Sequence, residues 1–306
     1  TAALANSIAF TPTADLAADA TISLSFTNEG DTASISIPLT VNAVADQPLV
    51  DISAAPINPT PLLIAEQQIN GTTNNETSVD LAALSNGNAI AVWSRFNATE
   101  AQIIDASGTA LDTPVLIVGA SPTPTIAAGV SGSALIVHVE QMSQVGLLEN
   151  IIVATLLDEN GSIVGTNNAF VSENLFGQSF GAVLEPDVTS LANGSYVVSW
   201  PETAERVDPA GGLENGRIVR AQVVDSNGSP IGNPVPVSNF ADSGDSFSAS
   251  SGLANGNFVV ARDGPDAVLV RVFDSTGAPL TDSVQASFDT ESPLDVQVVG
   301  LSDGGF

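Results

Sequence analysis

Two sequence phrases recur along the chain, and each places apolar, mostly β-branched residues on both sides of a glycine turn. The first phrase reads LAALSNGNAIAVW and occurs in related forms at 81–93, 127–139, 188–200 and 250–262, with a fifth start at 295. The second phrase follows at 101–117, 153–170, 220–237 and 270–286. Such runs around Asn-Gly, Ser-Gly or Asp-Gly indicate β-hairpins. No segment shows a sustained helical period, so we expect essentially no helix.

The repeat unit of roughly 45–62 residues therefore holds two hairpins, or four short strands. The first turn is marked by Gly87, Gly132, Gly194, Gly256 and Gly304, and the second by Gly108, Gly161, Gly228 and Gly277. A four-stranded sheet cannot bury both faces alone and must stack on its neighbours. The pattern thus predicts an all-β fold, namely a β-propeller or partial propeller of four-stranded antiparallel blades. The alternative, a string of small β-sandwiches, needs about seven strands per unit.

The units predict the domain organisation. We place blades at about 78–120, 121–174, 183–240 and 245–288, with a partial unit at 293–306. Four units and a stub do not close most propellers, so we expect further blades beyond Phe306. Residues 49–77 contain several prolines and an Asn/Thr cluster, which indicates a linker. Residues 1–48 contain a hairpin with its turn at 28–31 and too few strands for a complete β-sandwich, so we expect a sandwich fragment there.

The net charge of the chain limits the classes of partner that it can bind. The 306 residues include 34 Asp and Glu against 6 Arg and no Lys, a formal net charge of -28. Nucleic acid and anionic membranes need a basic surface and are excluded as partners. The absence of cysteine removes disulfides and thiolate chemistry. No apolar run approaches the roughly 20 residues that span a bilayer.

Several phrases resemble those of a known class of protein. The run SIPLTVNAVADQP at 36–48 resembles the closing strand and exit linker of cadherin-like or immunoglobulin-like repeats in large bacterial surface proteins of the RTX-adhesin kind. The runs LANGSYVVSW, RAQVVDSNGSPIG and LSDGGF are similar to repeats of the same proteins. The resemblance implies an extracellular, often calcium-dependent adhesin or matrix protein, with residues 1–48 as the end of a cadherin/Ig-like module. The calcium nonapeptide G-G-x-G-x-D is absent.

Candidate catalytic residues are few. His138 is the one histidine and lies in an alternating strand pattern, and no G-x-S-x-G elbow accompanies it. The Asp box of sialidase-type propellers is also absent. Trp93 and Trp200 end equivalent strands, where Val139 and Arg262 stand in the other copies, and we expect core packing rather than sugar stacking. We therefore predict a protein without enzymatic activity and without catalytic residues.

The variable segments predict where a ligand binds. In a four-stranded blade the middle loop and the crossing to the next blade emerge on one side, which we call the loop face. Its segments are 95–99, 140–150, 201–216, 263–266, 118–124, 172–186, 239–246 and 287–294. Variable loops on a rigid scaffold commonly carry binding residues. Asp242 with Asp245 and Asp263 with Asp266 are closely spaced acidic pairs there, and we predict calcium as the ion they bind. The aspartates of the second turn are instead expected to cap their turns.

Together these features predict a non-catalytic segment of an extracellular or cell-surface protein that serves adhesion or assembly. Its partners would be other copies or modules of the same surface protein, or a glycan or cell-surface ligand, with no membrane insertion. Two alternatives stay open: a secreted carbohydrate-binding or carbohydrate-active propeller, and a self-assembling filament or surface-layer subunit.

Overall fold

The structure, a computed structural model, consists of two compact units, Thr1–Leu62 and Leu63–Phe306. It describes residues 20–28, 31–39, 69, 76–95, 98–117, 123–144, 147–171, 185–207, 213–239, 247–264, 266–287 and 296–306. The predicted linker at 49–77 lies almost entirely outside these residues.

The first unit contains the predicted hairpin. Strand β1 (Ala20–Asn28) pairs antiparallel with β2 (Asp31–Leu39), from Ala20 opposite Leu39 to Asn28 opposite Asp31. The two strands form a sheet of their own. The cadherin/Ig-like module stays a prediction, because a single hairpin does not define a sandwich.

The second unit contains four four-stranded antiparallel sheets, one for each repeat. Blade 1 comprises β3 (Glu76–Ala83), β4 (Ala89–Arg95), β5 (Ala98–Ile104) and β6 (Val115–Ile117). Blade 2 comprises β7 (Thr125–Ala128), β8 (Ala134–Gln144), β9 (Leu147–Leu157) and β10 (Ile163–Val171). Blade 3 comprises β11 (Asp187–Ser190), β12 (Tyr196–Val207), β13 (Leu213–Val224) and β14 (Pro230–Pro236). Blade 4 comprises β15 (Ser248–Gly252), β16 (Phe258–Asp263), β17 (Val268–Phe273) and β18 (Val284–Gln285).

The blades are arranged as a propeller. Within each sheet the strands follow chain order, and the first strands β3, β7, β11 and β15 lie against one another in succession. These first strands are therefore the innermost ones. The segment 296–306 begins a fifth repeat beside β15, where the Gly300 amide donates to Ser251 Oγ at 2.8 Å. The predicted propeller architecture is confirmed. No helix of the described residues is long and apolar enough to cross a membrane.

The turns form where glycine was expected to place them. Gly87, Gly132, Gly194, Gly256 and Gly304 occupy equivalent first turns with φ between 83° and 91°. In each turn the glycine amide donates to the carbonyl three residues earlier. Glycine adopts this left-handed conformation without the steric cost that a Cβ would add.

Apolar residues of successive blades pack against one another. One cluster joins blades 1 and 2 around Ile90, Val92 and Ile136, and another joins blades 2 and 3 around Trp200. A third joins blades 3 and 4 around the stacked rings of Phe258 and Phe273. The apolar core is thus a series of interfaces between blades.

The middle hairpins differ in length from those that the repeats predict. Residues 140–150 and 201–216 were expected as loops, but most of them continue the pairing of β8 with β9 and of β12 with β13. The pairing ends at Gln144 opposite Leu147 and at Val207 opposite Leu213. Alternating side chains extend a hairpin as readily as they begin one, so a variable sequence was mistaken for a loop.

Candidate functional site

Buried ionisable side chains gather at the ends of the blades next to the loop face. Five are at most 8% exposed: Glu100, His138, Glu202, Arg262 and Asp263. All belong to the second or third strands, near the middle loop of their blade. The opposite ends of the blades carry the tight glycine turns. The loop face is therefore where the described residues bury charge.

Two of the four blades contain a buried tryptophan that donates to a glutamate, and the same glutamate pairs with an arginine. In blade 1, Trp93 Nε1 donates to Glu100 Oε2 at 3.2 Å, and Arg95 Nη1 lies 2.8 Å from Glu100 Oε1. Trp93 is 2% exposed. The predicted packing role of this tryptophan is confirmed, because a ring so deeply buried offers no face to a sugar.

Blade 3 contains the same three residue types, but its glutamate and arginine occupy each other's positions compared with blade 1. Trp200 Nε1 donates to Glu202 Oε2 at 3.1 Å, and Arg220 Nε donates to Glu202 Oε1. In blade 3 the glutamate stands two residues after the tryptophan, and the arginine lies opposite the tryptophan on the next strand. In blade 1 the arginine, Arg95, stands two residues after the tryptophan, and Glu100 lies opposite it. The arrangement satisfies each carboxylate with an indole and a guanidinium.

His138 is the residue of blade 2 that corresponds to these tryptophans. It stands six residues after the turn Gly132, as Trp93 and Trp200 stand six residues after theirs, and this register corrects the assignment of Val139 to that place. The ring is fully buried, with Nε2 at 3.1 Å from Glu140 Oε1, and Nδ1 has no hydrogen-bond partner among the described residues. No serine hydroxyl bonds to the ring among the described residues, so a Ser-His-Asp triad is not assembled.

The first strands of blades 1 and 3 each contain an aspartate, Asp80 within β3 and Asp187 at the start of β11. Asp80 Oδ2 accepts hydrogen bonds from Ile126 N at 2.9 Å and Thr125 Oγ1 at 3.0 Å, both on β7 of the next blade. Asp187 Oδ2 accepts from the amide and the hydroxyl of Ser250 on β15, both at 2.6 Å. Each aspartate therefore clamps its first strand to that of the following blade.

The two aspartates interact electrostatically across the inner strands. Burial raises the pKa of the Asp187 carboxyl, and the hydrogen bonds from Ser250 act in the opposite direction. The negative charge of Asp80 raises the Asp187 pKa further. A carboxyl whose pKa is raised by burial and by the charge of a second carboxyl is a candidate for acid–base chemistry.

Sequence reasoning missed this pair. Both aspartates stand seven residues before the first-turn glycine of their unit, Gly87 and Gly194. That shared position was the signal available. The units were compared by their strands and turns rather than by charged residues at matched positions, so the pair was not recognised.

The aspartates of the second turns behave as expected. Asp105, Asp158, Asp225 and Asp274 each accept hydrogen bonds from the backbone amides two and four residues on. Hydrogen bonds from Ser107 and Thr109 hold the pKa of the Asp105 carboxyl below its usual value, and Thr276 and Ala278 do the same for Asp274. These carboxylates cap their turns, as predicted.

The residues predicted to bind calcium fall into three situations. Asp263 is 5% exposed, and its Oδ1 accepts from the Phe247 amide at 2.7 Å. Asp266 is exposed. Asp242 and Asp245 lie outside the described residues. In the part of the chain that the structure describes, no group of three or more histidine or acidic side chains is placed to hold a metal ion.

Comparison with known proteins gave similarities to solved structures alone. No family model and no curated protein matches the chain. An α-L-arabinanase from Penicillium chrysogenum, solved with arabinobiose, is 13% identical with a TM-score of 0.47, over 75% of this chain and 73% of that one. An α-L-arabinofuranosidase from Fusarium graminearum is 14% identical, with a TM-score of 0.45 and coverages of 73% and 71%. A Dyadobacter fermentans protein of unknown function is 11% identical, with a TM-score of 0.47 and coverages of 72% and 71%.

These similarities correct the prediction of a protein without enzymatic activity. Two of the three structures are enzymes, so this architecture gives no ground for excluding catalysis, and the prediction was wrong. It rested on searching the sequence for motifs of neighbouring residues, whereas a propeller brings side chains together from separate blades. None of these three TM-scores reaches 0.5, so the likeness says nothing about which reaction, if any, this chain catalyses.

Proposed function

We propose that this protein is a carbohydrate-active propeller that cleaves a glycosidic bond at the loop-face end of its axis, with Asp80 and Asp187 as the acid–base pair. The observation that carries the proposal is their placement at one repeat position on two innermost strands, close enough for the charge of one to affect ionisation of the other. Glycoside hydrolysis needs two such carboxyl groups in different protonation states.

In this reaction Asp187 gives its proton to the glycosidic oxygen as the bond between that oxygen and the anomeric carbon breaks. A water molecule supplies the hydroxyl group that bonds to the anomeric carbon. The proton that this water loses passes to the carboxylate of Asp80. The products are two sugars with free hydroxyl groups. Asp80 then releases its proton to solvent and Asp187 takes one up, which restores the starting state.

The charge of the chain narrows the substrate class. At a net charge of -28 the chain repels polyanions such as uronic acid polymers, and neutral glycans meet no such barrier. Arabinan and arabino-oligosaccharides belong in the test panel, because the enzymes described above carry arabinose in their names.

The test is reducing-sugar release by the full chain from a panel of neutral polysaccharides, with a uronic acid polymer as the negative arm. Asp187→Asn and Asp80→Asn are each expected to lower the rate by 100-fold or more, on the order of the contribution of a general acid or base. Asp274→Asn, a turn aspartate away from the axis, is the matched control and retains activity. Absence of release from every glycan, or full activity in both axis variants, contradicts the proposal.

A second candidate is the adhesion or assembly segment of an extracellular surface or matrix protein, or a self-assembling filament or surface-layer subunit. The acidic, cysteine-free composition and the preceding hairpin unit favour it. Both candidates place the protein outside the cell. Sedimentation of the full chain with and without millimolar calcium, together with a glycan array, tests for association with other copies or with a glycan.

A further inference from the structure

The hydrogen bonds of the Asp187 carboxyl lead to a further residue of the candidate site. We propose that Ser250 is a positioning residue whose amide and hydroxyl hold the Asp187 carboxyl, so that Asp187 delivers the proton and Asp80 receives one. This inference rests on the proposed function and adds to it the residue that controls the ionisation of Asp187.

The geometry sets Asp187 apart from Asp80. Both donors to Asp187 Oδ2 belong to one residue, at 2.6 Å each, whereas the donors to Asp80 Oδ2 come from Thr125 and Ile126 at 3.0 and 2.9 Å. Ser250 and Ile126 occupy the same repeat position, six residues before their turn glycine. The hydroxyl that approaches Asp187 therefore stands where blade 2 has an isoleucine.

The direction of the effect follows from the donors. A hydroxyl that donates to a carboxylate stabilises the ionised form, so Ser250 limits how far burial and Asp80 raise the pKa of Asp187. A general acid works best when its pKa is near the working pH. Ser250 thus keeps Asp187 able both to hold and to release its proton.

Few other groups act on Asp187. The neighbouring innermost strands β7 and β15 contain no titratable residue. Among described side chains of β12, Tyr196 OH bonds to Ser133, and Glu202 bonds to Trp200 and Arg220. On β8, His138 and Glu140 bond to each other. Asp80 is therefore the charge that acts on Asp187 from another blade.

The first experiment measures the titration of the Asp187 carboxyl by NMR and needs no substrate. The full chain is labelled with ¹³C at aspartate carboxyls, Asp187 is assigned from its loss in Asp187→Asn, and its chemical shift is followed from pH 3 to 9. In Ser250→Ala the Asp187 midpoint is expected at higher pH than in the wild type. Ser250→Thr keeps the hydroxyl and restores the wild-type midpoint.

The matched control is Ser248→Ala. Ser248 lies on the same strand and its hydroxyl bonds to Ser199 Oγ at 3.2 Å, across the same pair of blades but not to Asp187. Its removal is expected to leave the Asp187 midpoint unchanged. Equal midpoints in Ser250→Ala and the wild type, or an equal shift in Ser248→Ala, overturn the inference.

The second experiment tests whether the ionisation of Asp187 governs the pH dependence of hydrolysis. In Ser250→Ala the alkaline limb of kcat/KM is expected to move to higher pH with the Asp187 midpoint, and Ser250→Thr is expected to reverse this. A moved midpoint with an unmoved alkaline limb overturns the assignment of Asp187 as the acid. If the wild-type chain hydrolyses no glycan, the proposed function is refuted. The titration still decides whether Ser250 lowers the pKa of the Asp187 carboxyl.

Discussion

At the residue scale, Asp187 combines a structural and a chemical role. It clamps blade 3 to blade 4 through Ser250, and it does so as a carboxyl whose ionisation is opposed by burial and by Asp80. A group that costs stability in its charged form is typical of functional sites, where activity and stability compete.

This competition predicts the effect of Asp187→Asn on stability. A raised folded-state pKa means that the charge destabilises the folded state at pH values above the folded pKa, and has no effect below the unfolded value of about 3.8. The asparagine removes the charge and keeps an acceptor for Ser250. We expect a higher Tm than the wild type at pH 7, with the difference disappearing as the pH falls below about 4. Thermal unfolding at both pH values measures this, with Asp274→Asn as the control, and an equal or lower Tm at pH 7 would contradict it.

At the element scale, the blades are held together by close approaches of the innermost strands. A Cβ on Gly252 of β15 would lie 2.7 Å from the Ser190 carbonyl oxygen of β11. A Cβ on Gly300 would meet the Gly252 carbonyl in the same way. Backbone atoms cannot yield as a side chain can, so these positions require glycine for space rather than for φ.

Gly252→Ala is therefore expected to destabilise the chain. Overpacking against backbone typically costs about 1–3 kcal/mol, which urea unfolding at pH 7 resolves. Gly165→Ala is the control, since its added Cβ would meet no described atom within 4 Å beyond its chain neighbours. The expectation fails if the two variants unfold at the same urea concentration.

Blades 1 and 3 both contain a Trp–Glu–Arg group, but the glutamate and the arginine occupy each other's positions in the two blades. Blade 1 places the glutamate opposite the tryptophan, and blade 3 places the arginine there. Blades 1 and 3 also share a glutamine six residues before the second turn, Gln102 and Gln222, whose amide donates to a carbonyl near the fourth strand. Matched features thus recur in every second blade.

Swapping the glutamate and the arginine of blade 3 tests whether that blade accepts the arrangement of blade 1. Glu202→Arg and Arg220→Glu each leave a partly buried like-charge pair and are expected to destabilise by about 3 kcal/mol. The double variant E202R/R220E reproduces the order of blade 1, and we expect it to recover most of that loss. A double-mutant cycle from urea unfolding measures the coupling. Additive losses in the double variant would show that blade 3 does not tolerate the blade 1 arrangement.

At the scale of the whole molecule, the charge of -28 makes the chain repel itself. Calcium binding at Asp242, Asp245, Asp263 and Asp266 stays a prediction. Extracellular modules commonly bind calcium at about 10⁻⁴–10⁻³ M, and binding to the folded state alone raises the Tm. We expect millimolar calcium to raise the Tm more than magnesium or sodium at matched ionic strength.

Asp266→Asn tests the location of this effect. Asp266 is exposed, so the substitution leaves the bond from Asp263 to the Phe247 amide in place. A smaller calcium-dependent rise in Tm is expected for the variant. Identical melting curves in calcium and in a chelator would refute calcium binding.

The amino-acid sequence by itself determined the strands, the turns and their repetition. These depend on local chemistry: glycine at positive φ in Gly87 and its equivalents, and alternation of side chains within a few residues. The number of blades, the equivalence of their turns and the burial of Trp93 and Trp200 followed from that periodicity.

Only the tertiary structure decided which distant residues meet. Asp80 and Asp187 lie on separate blades, and each bonds to the first strand of the following blade. The lengths of the middle hairpins likewise depend on where two strands stop pairing. Such contacts depend on the packing of one blade against another, and packing joins side chains with no fixed sequence spacing.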